Sequence, residues 1–330
     1  MSRRLDAGAD RLAILSDMHR GKRDRADDFL PCEDAYLRAL ASYDADRYRV
    51  VLLGDVEELW KNSPEEVRAA YPEVYAREAA FHDAGRLVRI WGNHDGEWAS
   101  PHLVQRELEP AYGSGGLLVG ESLLLDVAIG DRALGSLFLV HGHQGTGLND
   151  TLAFLARFTV RFIWKPIQHL VQTSRTTPSA NRRIREKHNR ATRLWAERQE
   201  KLLLVTGHTH RPVFASISIL DELERRLGVD IDEITSRVHD AEFWDDVVTE
   251  CMERGWLGDV APCGPPAPAS RRTLQPSLFN SGCCCYRDGR ITGLELSEGE
   301  IRLVLWSPAG SEGRRVLARA PIERVFERTA

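Results

Sequence analysis

Leu12-Ala13-Ile14-Leu15-Ser16-Asp17-Met18-His19 carries four apolar residues directly into an Asp-x-His. An apolar run this short, with no polar alternation, reads as a strand buried on both faces. Such a strand presents the two polar side chains at its carboxyl end. The pattern recurs four times downstream. Residues 50–53 run into Gly54-Asp55, and 87–91 into Gly92-Asn93-His94-Asp95. Residues 137–140 run into His141-Gly142-His143, and 202–206 into Gly207-His208-Thr209-His210. Helical patterns at 31–43 and 64–84 lie between the first three runs, which sets a βαβ rhythm. Open α/β sheets bind ligands at the carboxyl ends of their strands, where all five polar clusters fall. The fold class is therefore α/β, with the ligand site where these strands end.

A chain of 330 residues can bury one large α/β core and still carry insertions, so residues 1–330 read as a single domain. Its 42% hydrophobic and 28% charged residues are those of an ordinary globular protein. The net charge of -5 gives no global reason to bind nucleic acid, but the charge is polarised. Residues 149–200 form a basic helical cap insertion: 151–198 hold 11 Lys+Arg against 2 Asp+Glu, a net of +9. Residues 216–276 form an acidic helical insertion and a Pro-rich linker. Within them 216–260 hold 13 Asp+Glu against 4 Lys+Arg, a net of -9, and 261–276 are rich in Pro and Ala. Strand character resumes at 277–281, 291–296 and 301–306. Asp288-Gly289 and Glu298-Gly299 between these runs read as hairpin turns. No internal repeat of fixed period is present.

The six cysteines are Cys32, Cys251, Cys263 and the run Cys283-Cys284-Cys285, and none forms a CxxC pair. Three consecutive cysteines do not suit a disulfide framework, so reduced thiols and a cytoplasmic setting are expected. A metal role for the run is disfavoured, because neighbours in a strand point to opposite faces. The opening residues 1–12 lack the apolar stretch of a signal peptide. The best membrane-span candidate, 151–171, is interrupted by Arg157, Arg161 and Lys165.

Each polar cluster has a bland alternative. Asp17/His19 could be a polar strand terminus, and Gly54-Asp55 or Gly92-Asn93 an ordinary turn. The pair His208/His210 is sharper, because two histidines after a buried strand are costly unless something binds them. Together, and at the same ends of successive strands, the clusters read as a metal site. Carboxylate, amide oxygen and imidazole suit divalent ions such as Mn²⁺, Fe²⁺ and Zn²⁺.

The order D-x-H, GD-x-x-E, GNHD, HGH, GHTH resembles the calcineurin-like metallophosphoesterase superfamily, over most of 11–212 and the strands around Asn280-Ser281-Gly282. The resemblance implies a four-layer α/β/β/α sandwich. It also implies two divalent ions, with Mn²⁺ first in expectation. Asp17, His19, Asp55 and His210 would hold one; Asp55, Asn93, His141 and His208 would hold the other, Asp55 bridging. Ions about 3.5–4 Å apart clamp phosphate oxygens and acidify a shared water, whose hydroxide attacks phosphorus in line. His94 would protonate the leaving oxygen or stabilise charge on the phosphoryl group, and Asp95 would hold its ring.

Neighbouring residues carry weaker readings. Glu58, the last position of GD-x-x-E, reads as a hydrogen-bonding support or as a helix-start carboxylate favoured by the dipole. His143 contacts substrate or caps its loop. Trp60 and Trp98 read as packing residues, and Asp24, Asp27 and Asp28 as solvated. Within the cap, Arg157, Arg161, Lys165 and His169 recur every four residues beside Phe158, Phe162 and Leu155. This ridge is a substrate-binding or anionic-membrane face, or else a solvated lid face.

Gly54–Trp60 as GDVEELW, a helical cap and GHTHRP at 207–212 are similar to the UDP-2,3-diacylglucosamine hydrolase branch. That branch cleaves a pyrophosphate in a lipid precursor at the inner membrane surface, which suggests a UDP-sugar or lipid-linked phosphate as substrate. This chain departs from it in having His94 where the branch has Arg, and in its acidic insertion. Competing readings are a nuclease or cyclic-nucleotide phosphodiesterase and a non-catalytic scaffold. The first lacks a paired aromatic ladder for stacking bases. The second is opposed by retention of all seven ligand types and His94. No HExxH helix supports a metalloprotease.

Overall fold

The computed structural model describes residues 4–113, 115–143, 192–218, 275–311 and 313–329. Two seven-stranded sheets stack face to face. The first runs in the order β14 (Arg314–Pro321), β13 (Glu300–Trp306), β12 (Ile291–Ser297), β2 (Leu12–Leu15), β3 (Arg49–Leu53), β4 (Leu87–Ile90) and β5 (Val119–Gly120). Its centre is parallel, with Leu12 opposite Arg49 and Val50 opposite Leu87. The second runs β1 (Arg4–Asp6), β6 (Ser122–Ile129), β7 (Arg132–Val140), β8 (Leu202–Thr206), β11 (Leu278–Asn280), β9 (Val213–Phe214) and β10 (Ile217–Ser218). Here β7, β8 and β11 are mutually parallel.

The all-apolar strands follow from this stacking, because both faces of each are covered. Leu12, Ile14, Val51 and Leu53 meet Leu137, Leu139, Leu203 and Val205 between the sheets. Ala13, Leu15, Val50 and Leu52 face the other way, onto the helices, with Tyr36, Tyr43 and Val74. On the outer face of the second sheet, Phe138, Val140 and Leu204 pack with Ala196 and Trp195 of the helical stretch 192–196. The layers are α/β/β/α, as the resemblance implied.

Several local expectations are corrected. The single helix expected over 64–84 is two, α2 (Pro64–Ala70) and α3 (Pro72–Asp83), which follow α1 (Glu33–Ala45). Pro72 disfavours helical backbone in the residue before it, and Tyr71 sits at φ -127, ψ 50. A capping box between Ser63 and Glu66 starts α2. Asp288-Gly289 makes a turn but no hairpin, because β11 joins the second sheet and β12 the first. Glu298-Gly299 does join a hairpin, β12 to β13. The basic cap at 149–200 lies outside the described residues except for 192–200, and Arg157, Arg161 and Lys165 lie in the part outside. The acidic insertion at 216–276 lies outside them except for 216–218 and 275–276. Among the described residues no helix is long and apolar enough to cross a membrane.

A buried ionic cluster backs the ends of β2 and β3. Arg20, fully buried and next to His19, donates its backbone N–H to Val56 O at 3.0 Å. Its guanidinium pairs with Glu78, which also accepts from Tyr36 Oη at 2.6 Å and Tyr112 Oη at 2.5 Å. Phe29, Tyr36 and Tyr75 place their rings 5.1–5.4 Å from the guanidinium carbon. Beside it Arg89 pairs with Glu57 at 2.5 Å, and Glu57 takes Tyr75 Oη and Trp98 Nε1, each at 2.9 Å. Removing one partner leaves the other charge buried and unmatched. Glu78→Ala is predicted to lower unfolding free energy by about 3–5 kcal/mol in urea melts. Glu73→Ala, which breaks an exposed pair with Arg77 on the same helix, should change it by about 0–1 kcal/mol.

Candidate metal centre

The five polar clusters meet at one rim of the sandwich. Asp17 and His19 leave β2, Asp55 leaves β3 and Asn93 leaves β4; from the second sheet His141 leaves β7, and His208 and His210 leave β8. The chain turns sharply at these points. Asp17, His19, Asp55, His208 and His210 all have left-handed backbone, with φ between 52° and 68°. Asp and His tolerate this region better than most residues, yet each such position costs on the order of 1–3 kcal/mol. The glycines clear room for the carboxylates. A Cβ on Gly92 would lie 2.2 Å from Asp55 Oδ1, and one on Gly207 would lie 2.5 Å from Asp17 Oδ2.

Among the donor groups that result, one joins Asp17, His19 and His210 and another Asp55, His141 and His208, and His19 also lies with Glu58 and His94. His210 Nε2 lies 3.2 Å from Asp17 Oδ1 and 3.1 Å from His19 Nε2. His141 Nε2 lies 3.1 Å from Asp55 Oδ2, which is 3.8 Å from His19 Nε2. Bonds of about 2.0–2.2 Å to one ion put neighbouring nitrogen and oxygen ligands ~3.0–3.5 Å apart, so these donors fit a divalent cation. The buried Oδ1 of Asn93 has no hydrogen-bond donor, an acceptor suited to a cation. The remaining atoms are fixed. His141 Nδ1 is 2.8 Å from Leu53 O, Asp55 Oδ1 accepts from His94 N at 2.8 Å, and Asp17 accepts from His208 N at 3.0 Å. Such outer bonds set ring tautomer and aim.

The electrostatics pair buried carboxylates with imidazoles. Burial alone would raise both carboxyls, but His210 and His141 beside Asp17, and His141 and His19 beside Asp55, hold them below the usual range. Burial would lower His141, yet Asp55 and Asp17 push it up to about 10. Asp17 likewise raises His210 to about 9 against burial.

One expected contact is replaced. Asp95 does not hold the His94 ring; its carboxylate accepts from Gly92 N at 2.6 Å, Val56 N at 2.9 Å and Asp55 N at 3.3 Å. It ties the β3 and β4 turns together, and burial beside Asp55 and Glu57 raises it to about 7. Glu58 holds the ring instead, with Oε2 2.9 Å from His94 Nδ1 and 3.4 Å from His19 Nδ1. Glu58 is 3% exposed, so it is no solvated helix-start carboxylate. With Nδ1 committed, Nε2 is the His94 nitrogen left for a substrate. Trp60 is not a packing residue: it is 58% exposed and stacks on His94 at 3.7 Å. Trp98 is buried on Glu57, as expected of packing. Asp27 is buried too, accepting from Arg23 N, Phe29 N and Tyr71 Oη. His143 stands 5.2 Å from Trp91 and 5.6 Å from His141, ring to ring. Cys283 and Cys285, set aside in the sequence reading, lie beside His210. Their run is a loop after β11, not a strand, so strand alternation did not apply.

Fold and donor set are those of a metal-dependent phosphoesterase. Residues 10–212 match the family model for calcineurin-like phosphoesterases, and the chain belongs to that family. No curated protein sequence matches it. Among solved structures it is similar to vacuolar protein sorting 29 from Cryptosporidium parvum, at 12% identity and a TM-score of 0.36 over 94% of this chain and 96% of that one. It is also similar to a dimetal phosphatase from Danio rerio, at 10% identity and a TM-score of 0.38 over 94% and 99%.

Two predictions follow from the geometry. A methyl at position 92 collides with Asp55, so Gly92→Ala should weaken Mn²⁺ binding by tenfold or more in equilibrium dialysis, a loss on the scale of outer-contact mutations. The second concerns protons. His141 and His210 rise from an ordinary 6.5 to about 10 and about 9, so both are charged in metal-free protein at pH 7. Ligation requires neutral imidazole, so Mn²⁺ binding should release protons and weaken as pH falls from 8 to 6. Calorimetry in buffers of differing ionisation enthalpy measures both. The sign for stability is opposite. Their contribution to the metal-free fold is complete below about pH 6.5 and is lost as pH rises through about 9 and 10.

Proposed function

We propose that the chain is a binuclear phosphoesterase acting on a phosphate ester or pyrophosphate. Asp17, His19, Asp55 and His210 hold one divalent ion, and Asp55, Asn93, His141 and His208 the other. The observation that carries this reading is the position of Asp55, whose Oδ2 stands 3.1 Å from His141 and 3.8 Å from His19, between the two donor groups. Divalent ions held there would clamp phosphate oxygens and lower the pKa of a water. The donor set is oxygen and nitrogen throughout, which suits Mn²⁺ first, with Fe²⁺ or Zn²⁺ as alternatives.

The chain's own part is positioning and proton delivery. Glu58 fixes the His94 ring through Nδ1, and the exposed Trp60 covers one ring face. His94 then gives a proton from Nε2 to the departing oxygen. Asp95 keeps the turns carrying Asp55 and His94 in register.

For the substrate we favour a UDP-sugar or a lipid-linked phosphate, met at an anionic membrane from the cytoplasmic side. GDVEELW, GHTHRP and the sequence ridge Arg157, Arg161 and Lys165 support this reading.

Three outcomes test these assignments. Asp55→Ala should lose both Mn²⁺ equivalents; full occupancy with unchanged activity would sink the bridge. His94→Ala should lower kcat about 10²–10⁴-fold with metal content intact, least for nitrophenyl esters whose leaving group needs no proton. An equal loss for good and poor leaving groups would assign His94 to charge stabilisation instead. Reversing Arg157, Arg161 and Lys165 to Glu should abolish sedimentation with anionic vesicles and spare small-ester hydrolysis, since each cation near such a surface contributes about 1 kcal/mol. Wild type that ignores vesicles at low salt would remove the membrane from the proposal.

A further inference from the structure

The loop Cys283-Cys284-Cys285 is anchored on the candidate centre at several points. Cys284 N donates to Ser16 O and Asp17 O, both at 3.1 Å, and Cys283 N donates to Thr292 Oγ1 at 3.1 Å. Tyr286 Oη donates to His210 O at 3.2 Å. Residues two apart in this loop fall on the same side. Cys284 turns into the core, its thiol 3.9 Å from Thr292 O, while Cys283 and Cys285 flank the His210 ring. Cys32 shows what an inert thiol looks like here: it is wholly buried and donates to Tyr286 O and Arg290 O.

His210 has two faces. Its Nε2 points to Asp17 and His19, and its Nδ1 lies 3.7 Å from Cys285 Sγ. Bonds of about 2.3 Å to sulfur and 2.0–2.1 Å to nitrogen put two ligands of a tetrahedral zinc ~3.6 Å apart. The Cys285–His210 spacing is that of two ligands sharing one ion. The ligand atoms of Cys283, Cys285 and His210 all lie within 4.8 Å of one another. The site is also open, since the His210 side chain is 26% exposed and Cys285 is partly exposed.

We propose that Cys283, Cys285 and His210 Nδ1 form a separate site for a thiophilic divalent ion of the zinc class. It has three protein ligands and a fourth position facing solvent. The donors set it apart from the candidate centre: two thiols and an imidazole prefer zinc-like ions, whereas the Asp, Asn and His set also suits Mn²⁺. The proposal goes beyond the phosphoesterase reading and shares only His210 with it; with Nε2 holding an ion of that centre, ligation through Nδ1 would release the ring's remaining proton to solvent and leave an imidazolate between the two ions.

The test is titration of the reduced full chain with Cd²⁺ under anaerobic conditions, followed by the ultraviolet thiolate-to-Cd²⁺ charge-transfer band. The expected result is a band that saturates at one equivalent and is lost in Cys283→Ser/Cys285→Ser. Because Cys283 is buried, Cys285→Ala is the second variant, with Cd²⁺ affinity at least tenfold weaker and an unchanged circular dichroism spectrum. Absence of a band at one equivalent overturns the site. So does a band that persists undiminished in both variants, which would come from the other cysteines. Asp55→Ala should keep the band whether or not it loses Mn²⁺, so the thiol site and the two-ion reading fail separately.

Discussion

A carboxylate buried at the end of a central strand needs positive charge, and Asp55 organises the rim around that need. It is 1% exposed, one oxygen takes the His94 amide, and the other faces histidines from both sheets. Gly92 lacks a side chain because Asp55 fills the space, and Asp95 ties the two turns on either side of it. Uncompensated, such a group would be neutralised by protonation. Here His141 and His19 hold it ionised, and their positions are dictated by the sheet order.

The layout of the sandwich could be read from residues because burial on both faces leaves a simple mark. Leu12–Leu15 and Leu202–Thr206 contain no polar residue before Thr206, and each ends at its ligand pair. Asp17, Asp55 and His208 were legible for the same reason. Partners set by tertiary contact were not. β11 and β12 look like two arms of a hairpin across Asp288-Gly289, yet each strand finds better coverage in a different sheet. Strand β14, with Arg314, Arg315 and Arg319 among its eight residues, carries too much charge for a buried-strand pattern.

The support around His94 shows a similar limit. Sequence adjacency pointed to Asp95 as the residue behind the ring. At the start of a tight turn, however, its carboxylate is better placed to collect three backbone N–H groups. Glu58, 36 positions upstream, reaches the ring because β3 and β4 are neighbours in parallel register. Trp60 is exposed for a related reason: its indole lies on the outer face of that imidazole, where none of the described elements forms a further layer. Five of the candidate ligand positions have left-handed backbone, which leaves no trace in composition because Asp and His occur there without needing glycine.

The candidate ligands come from both sheets, and this gives the centre a mechanical aspect. Asp17, His19, Asp55 and Asn93 belong to one sheet, and His141, His208 and His210 to the other. Away from this rim the described parts of the sheets meet chiefly through apolar contact, which resists separation without fixing direction, with a backbone bond from Gly299 N to Ala7 O at 2.7 Å at the far end. At the rim they are stitched by directional bonds, Asp17 to the His208 amide and Ser16 to Ser281 at 2.7 Å. An ion gripped from both sides would turn that seam into a clasp. Chelation would then slacken the mouth of the sandwich first and leave the far edge closed.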